Sequence, residues 1–144
     1  MELGTPAWLA AVMQAVNTSA DYRERAAGWR WPLALGFLDP TDPDRDRFGV
    51  LDLHDGACRG AVTTDRRGFE QAPFRLSATY DRWDRLLHHR LDTMRCILLG
   101  DAELEGDRLT ALRYLPAAKA MMDAMATVDA DIPCLLYTSP SPRD

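Results

Sequence analysis

The segment "MRCILLGDAELEGDRLTALRYL" (residues 94–115) decides the fold of this chain. A short apolar helix is predicted to end at Gly100, because glycine readily adopts the left-handed conformation that terminates helices. The stretch "AELEG" (102–106) alternates apolar and acidic residues and predicts a short strand. Asp107 is a favourable helix N-cap, so a second apolar helix is predicted to follow. This helix–strand–helix unit needs a larger sheet to cover its apolar faces.

The middle of the chain supplies that sheet. "WPLALGFLD" (31–39) is apolar almost throughout, which predicts a strand buried on both faces. "FGVLDLH" (48–54) and "ACRGAVT" (57–63) flank an Asp-Gly dipeptide, a strong signal for a tight β-hairpin. "FRLSATY" (74–80) alternates apolar and polar residues and predicts an antiparallel strand with one wet face.

Two details of this region are predicted less directly. Cys58 and Val62 are both expected on the inward face of their strand. The polar stretch "DRRGFEQAP" (65–73) is predicted to be a loop between two strands.

Helices are predicted on both sides of the strands. Thr5-Pro6 is typical of a helix start, and a second short helix is predicted over 21–27. After the strands, Asp81 is the predicted cap of the next helix and Asp92 of the one after it. Pro116 is expected to kink or split the last helix, because proline cannot donate the backbone hydrogen bond.

This order of elements predicts the α+β class, with an antiparallel sheet of about five strands covered by amphipathic helices. Residues 1–133 are long enough for one domain with a sizeable core. The tail "CLLYTSPSPRD" (134–144) breaks sharply with the preceding composition and can be back-translated into a transposase-type sequencing adapter. We therefore expect 134–144 to be non-native. A natural Pro/Ser-rich tail is the alternative.

Composition excludes several classes of function. The formal net charge is −5 and the basic residues are scattered, so no nucleic-acid partner is expected. No apolar run approaches the roughly 18 residues of a membrane-spanning helix. Glu2 is acidic and the first residues include no basic region, so we expect no signal peptide. Cys58 and Cys96 form no CxxC motif, which favours reduced thiols in a cytoplasmic protein.

Three stretches together resemble the sterol carrier protein type 2 family, small domains that hold lipids in an apolar tunnel. These stretches are "FGVLDLHDGACRGAV" (48–62), "LSATYDRWDRLL" (76–87) and "ILLGDAELEGDRLTALRYL" (97–115). The helical opening at 6–29 is also similar to prokaryotic single-domain relatives. The resemblance implies an intracellular, non-enzymatic domain that binds or transfers a fatty acyl or sterol-like lipid, without a cofactor.

The resemblance also suggests where the lipid would lie. The candidate lining is the apolar face of the helices that follow the strands, where unbranched methionines can adapt to varied ligand shapes. It comprises Trp83, Leu86, Leu87, Met94, Ile97, Leu98, Leu112, Leu115, Met122 and Met125. Arg90, Arg95 and Arg113 are the candidates for contacting a carboxylate or phosphate head group at the rim.

Two other hypotheses stay open. The same fold with a filled core would be a protein-interaction or self-association module, for instance a homodimer. An enzyme acting through His88 or His89 is the third hypothesis, but adjacent helical residues point about 100° apart and no HExxH motif supports them. No catalytic residue, metal ligand or phosphate-binding loop is therefore predicted.

The tail hypothesis makes a prediction about stability. A chain that ends at Pro133 should melt at the same temperature as the full chain, because a non-native tail makes no packing contacts. Thermal unfolding followed by circular dichroism compares the two. A melting temperature several degrees lower in the shortened chain would show that the tail packs against the domain.

Overall fold

The computed structural model of the chain describes residues 1–88 and 92–131. Residues 89–91 and 132–144 lie outside that description, and with them His89, Arg90 and the tail. The described elements are seven α-helices and five strands, besides a 3₁₀ turn at Pro43–Arg45. In chain order they are α1 (Pro6–Asn17), α2 (Ala20–Arg25), β1 (Leu33–Leu38), β2 (Arg47–His54), β3 (Ala57–Thr64), α3 (Arg66–Gln71), β4 (Phe74–Thr79), α4 (Tyr80–Leu87), α5 (Thr93–Leu99), β5 (Glu103–Glu105), α6 (Arg108–Arg113) and α7 (Leu115–Met125).

The five strands form one sheet in the order β3-β2-β1-β4-β5. The pairs β1–β2, β2–β3 and β4–β5 are antiparallel. The central pair, β1 with β4, is parallel and places Leu35 opposite Leu76. The α+β class and the five-stranded sheet are confirmed, and the parallel pair joins its two antiparallel parts.

One face of the sheet carries the main core. Inward residues of β1 such as Leu35 and Phe37 are fully buried under the helices. The ring of Trp8 in α1 meets Phe37 edge-on at 5.5 Å between centroids. Trp83 in α4 packs on the same phenylalanine and donates from its indole Nε1 to the Gly36 carbonyl at 2.9 Å. Burying each such side chain stabilises the fold by roughly 1.5–3 kcal/mol.

The predicted helix boundaries around the deciding segment are confirmed. The Asp92 carboxylate accepts from the backbone N–H of Arg95, and Asp107 does the same for Thr110. Gly100 ends α5 with φ of 82°, which a residue with a side chain rarely adopts. Pro116 lies in the first turn of α7, so the last helix is split as predicted.

Two local predictions were wrong. The stretch 65–73 contains α3, which is capped by Asp65 and packs Phe69 on Phe48 over the second face of the sheet. It was missed because six residues with one buried side chain show no helical periodicity. The helix predicted to be capped by Asp81 begins earlier, with Thr79 as its cap.

A bulge in β3 explains a third difference. Leu51 pairs with Ala61 and Leu53 with Cys58, so one extra residue of β3 lies between these pairs. An extra residue inverts the alternation of side chains along a strand. Cys58 is 3% exposed, as predicted, whereas Val62 is 62% exposed, and its predicted inward orientation was wrong.

Asn17 holds this bulged edge strand against α1. Its side-chain amide donates to the Cys58 carbonyl at 2.9 Å and its amide oxygen accepts from the Cys58 N–H at 2.7 Å. The side chain therefore substitutes for a neighbouring strand at this point.

Replacing Asn17 with alanine should lower the free energy of unfolding by about 2 kcal/mol, because two hydrogen bonds to one peptide are lost. Urea denaturation measures the change. Gln14→Ala, at an exposed position of the same helix, is the matched control and should change stability by less than about 0.5 kcal/mol. Equal effects of the two substitutions would contradict this role of Asn17.

Candidate functional site

An apolar cavity of about 40 Å³ lies between the sheet and the helices. Its lining comes from four strands, from α2 and the segment after it, and from α5, α6 and α7. The residues are Tyr22, Trp29, Leu33, Leu53, Leu76, Ile97, Leu104, Ala111, Tyr114, Ala117, Ala118 and Met121. None of these side chains is formally charged at neutral pH.

The floor of the cavity crosses most of the sheet. Leu53, Leu33, Leu76 and Leu104 belong to β2, β1, β4 and β5, which are neighbours in that order. Adjacent strands lie about 4.8 Å apart, so the floor spans roughly 14 Å from β2 to β5. This row of leucines therefore runs across the strands.

The roof of the cavity is made by α6 and α7. Ala111, Ala117 and Ala118 leave room above the sheet because their side chains end at Cβ. Met121 adds an unbranched side chain that can take several shapes. Small and flexible residues together form a wall that can adapt to an occupant.

Aromatic rings close one side of the cavity. The Trp29 ring lies 4.6 Å from Phe74 and 5.1 Å from Tyr114 between centroids. Its indole N–H donates to the Trp31 carbonyl at 2.7 Å, which fixes the ring orientation. This wall is rigid, in contrast to the alanine and methionine roof.

A groove of about 350 Å³ adjoins the cavity on the β5 side. It runs between α5, the end of β5, α6 and the start of α7. Its lining is Ile97, Leu98, Leu104, Glu105, Gly106, Arg108, Ala111, Leu112 and Leu115. Ile97, Leu104 and Ala111 line both spaces, so these three side chains form the partition between groove and cavity.

Four exposed leucines lie on α5 and α6, the two helices that contribute to the groove. Leu109 is 80% exposed and Leu98 is 61% exposed, and Leu99 and Leu112 also present much of their side chains to solvent. Contiguous exposed apolar side chains commonly mark surfaces that bind ligands or other proteins. We call these four residues the leucine rim.

Three arginines lie on the same two helices as these leucines. Arg95, Arg108 and Arg113 are exposed, and within residues 1–88 and 92–131 none of the three forms an ion pair. Nearby Glu105 is paired with Arg75 at 3.2 Å, and Asp101 lies 3.8 Å from Arg82. Of the three guanidinium groups, that of Arg108 belongs to a residue that lines the groove.

The described residues show little that favours catalysis. Burial is the main cause that raises the pKa of both the Cys58 and Cys96 thiols above their ordinary value, which disfavours a thiolate nucleophile. His88 is exposed and lies 3.1 Å from Asp84 on its own helix. No group of three metal-ligating side chains occurs within residues 1–88 and 92–131.

Over the same residues, every helix is too short or too polar to cross a membrane.

The structure divides the sequence-predicted lining into two sets. Ile97 lines both spaces, and Leu98, Leu112 and Leu115 line the groove. The remaining members line neither space: Met94 is half-buried, and the others are buried in the core, namely Trp83, Leu86, Leu87, Met122 and Met125. Of the predicted rim, Arg95 and Arg113 are exposed on α5 and α6 but do not line the groove, and Arg90 lies outside the described residues.

Sequence reasoning missed the sheet side of the cavity and Arg108. Alternation along a strand shows which residues point inwards, but not which of them lie under a gap. Arg108 follows the Asp107 cap directly, and its position in the first turn of α6 was the available signal.

Comparison with protein-family models and with curated protein sequences finds no match for the chain. Solved structures do match. A crystal structure of sterol carrier protein 2 is 31% identical, with a TM-score of 0.79, over 89% of this chain and 100% of that chain. The conserved hypothetical protein TT1886 from Thermus thermophilus is 32% identical, with a TM-score of 0.77, over 91% of this chain and 92% of that chain.

A more distant match supports the fold alone. Sterol carrier protein 2 from Yarrowia lipolytica, in its apo form, is 12% identical over 88% of this chain and 98% of that chain, with a TM-score of 0.56. The two nearer matches cover almost the whole described chain at above 30% identity. The resemblance predicted from the sequence is therefore confirmed, and the chain belongs to the sterol carrier protein 2 family.

Proposed function

We propose that this protein binds and transfers an apolar lipid-like molecule, which enters through the groove and occupies the cavity. The observation that carries the proposal is the partition. The side chains of Ile97, Leu104 and Ala111 line both the groove and the apolar space that crosses four strands, so the two spaces adjoin. A lipid chain would be driven inwards by removal of its apolar surface from water, worth about 25 cal/mol per Å².

The cavity must widen to hold such a ligand. Its volume of about 40 Å³ is far below the roughly 300–1,000 Å³ of small-molecule sites. The elements beside the partition are short: β5 has three residues and α6 has six. Short elements at a sheet edge have few interactions to break, so we propose that they move outwards when the ligand enters.

The polar part of the ligand would lie in the groove. Arg108 lines it directly, and Arg95 and Arg113 are exposed on the two helices beside it. We propose these groups as partners for a carboxylate or phosphate, because one guanidinium group can donate two hydrogen bonds to two oxygens of such a group. The leucine rim would contact the part of the chain that emerges from the cavity.

We further propose that the protein acts without chemistry and in the cytoplasm. Cys58 and Cys96 are free thiols, which supports a reducing compartment. Burial raises the pKa of both thiols, which argues against a cysteine nucleophile. Six residues of the predicted lining contact neither the cavity nor the groove. We propose that they pack against the residues that do, and so support the cavity wall. The six are Trp83, Leu86, Leu87, Met94, Met122 and Met125.

Lipid binding and its route can be tested together. A chain ending at Pro133 should copurify with, or take up, lipid in stoichiometric amount, measured by organic extraction and mass spectrometry against an unrelated protein from the same cells. Ala111→Phe should reduce the bound lipid at least tenfold, because the added ring fills the partition. Val62→Phe adds a ring at an exposed position of β3, the edge strand on the other side of the sheet, and should leave binding unchanged.

Two results would contradict the proposal. One is a chain that neither copurifies with lipid nor takes up added fatty acids. The other is equal binding by Ala111→Phe and the unsubstituted chain when both have the same melting temperature, since the ligand would then lie elsewhere.

Self-association is the second candidate, and the leucine rim is the observation that favours it. A second copy could cover Leu98, Leu99, Leu109 and Leu112, which would remove their exposed surface from water.

Under this alternative, the chain should form a concentration-dependent dimer in sedimentation velocity. Leu98→Ser together with Leu109→Ser should abolish the dimer without lowering the melting temperature, since both side chains are mostly exposed. A chain that stays monomeric at all concentrations would exclude self-association through the rim. Val62→Ser is the control for an exposed apolar residue away from the rim.

A further inference from the structure

Tyr22 carries an unpartnered polar group inside the apolar cavity. The residue lines the cavity and is only 2% exposed. Its hydroxyl forms no hydrogen bond within the part of the chain that the structure describes, where its recorded bond is from its backbone N–H to Ser19. Among the described residues, the fully enclosed side-chain atom without a partner is Trp8 Nε1, so the Tyr22 oxygen keeps some accessible surface and can bond a molecule that reaches it.

The other polar groups on the cavity wall are engaged. The Tyr114 hydroxyl lies 3.5 Å from the Ala27 carbonyl, and the Trp29 indole N–H donates to Trp31. Among the described lining residues, Tyr22 is therefore the one with an available side-chain donor and acceptor.

Tyr22 lies at the end of the cavity opposite the groove. The next residue of α2, Arg23, packs its backbone against Gly56 in the turn between β2 and β3, and Leu53 near that turn forms the β2 end of the cavity floor. The groove adjoins Leu104 of β5, at the other end of the same floor. A molecule that enters from the groove therefore reaches Tyr22 last.

The far end is unsuited to a charged group. Among the described residues, no arginine, lysine or carboxylate lines the cavity. Burial raises the pKa of the Tyr22 hydroxyl well above its ordinary value, with the nearby Cys58 thiol as a second cause. A carboxylate placed there would lose its hydration without an opposing charge. An uncharged oxygen can instead exchange a hydrogen bond with the tyrosine.

We propose that Tyr22 is the specificity-determining residue of the site and selects a fatty acid whose inserted end bears an uncharged oxygen, such as a terminal hydroxyl. The inference rests on the proposed function, in which the carboxylate of the same molecule stays at the Arg108 side of the groove. The apolar chain between the two ends then lies along the roughly 14 Å cavity floor.

A competition experiment tests this assignment. Hexadecanoic acid and ω-hydroxyhexadecanoic acid differ only at the end that is inserted, so the carboxylate contributes equally to both. The chain is equilibrated with an equal mixture of the two acids, and the bound ratio is measured by mass spectrometry after gel filtration. The unsubstituted protein should retain more of the hydroxy acid.

Tyr22→Phe should shift the bound ratio towards hexadecanoic acid by roughly three- to tenfold, the effect of one hydrogen bond. Tyr114→Phe removes a hydroxyl from the same cavity that already has a partner, and should keep the ratio of the unsubstituted protein. Arg108→Gln should weaken both acids alike and leave the ratio unchanged. Melting temperatures check that each variant is folded.

The outcomes separate the two proposals. If both acids bind and Tyr22→Phe leaves the ratio unchanged, the role of Tyr22 is overturned while lipid binding stands. If the unsubstituted protein prefers hexadecanoic acid, the proposed role of Tyr22 is also overturned, whether or not the phenylalanine variant folds. If neither acid is retained, lipid binding and the inference fail together.

Discussion

Three residue pairs between β4 and β5 attach the segment that carries α5 and α6 to the edge of the sheet. They join Arg75 to Glu105, Leu76 to Leu104 and Ser77 to Glu103, and the first pair is reinforced by an ion pair at 3.2 Å. This short ladder places Leu104 beside the groove and positions α5 and α6 on either side of it. Both the partition and the groove therefore depend on one three-residue strand at the edge of the sheet.

The cavity reflects a compromise between packing and adaptability. Close packing stabilises a core, and filling a void is generally favourable. Here the wall above the sheet is made of alanines and Met121, whereas the aromatic side is rigid. Larger residues at Ala111 or Ala117 would fill the space but remove the adaptable wall. Incomplete packing of this kind is typical of sites that must open for a ligand.

The sequence predicts local features well and long-range features poorly. Asp92, Gly100, Asp107 and Pro116 act through their own backbone chemistry, so the boundaries that they set are found where predicted. The parallel pairing of β1 with β4 joins segments about 40 residues apart, and no local pattern encodes it. The outward orientation of Val62 follows from a bulge, which a strict alternation of side chains does not anticipate.

The candidate site shows the same limit. The helical spacing of apolar residues predicts which side chains face inwards. It does not distinguish residues of the packed core from residues that line a cavity. Ile97 lies at the partition whereas Trp83 is packed against Phe37, although both were predicted to line the lipid site. Tyr22 was beyond prediction because its significance depends on which groups surround its hydroxyl, and only the folded arrangement reveals them.

Photo-crosslinking tests the central claim of lipid binding between sheet and helices most directly. A fatty acid with a diazirine at mid-chain is bound to the protein, activated by light and located by peptide mass spectrometry. We predict labelling of Ile97, Ala111 or Met121 together with strand residues such as Leu33 or Leu76. Labelling confined to the leucine rim, or unchanged in Ala111→Phe, would place the lipid on the surface and contradict the account.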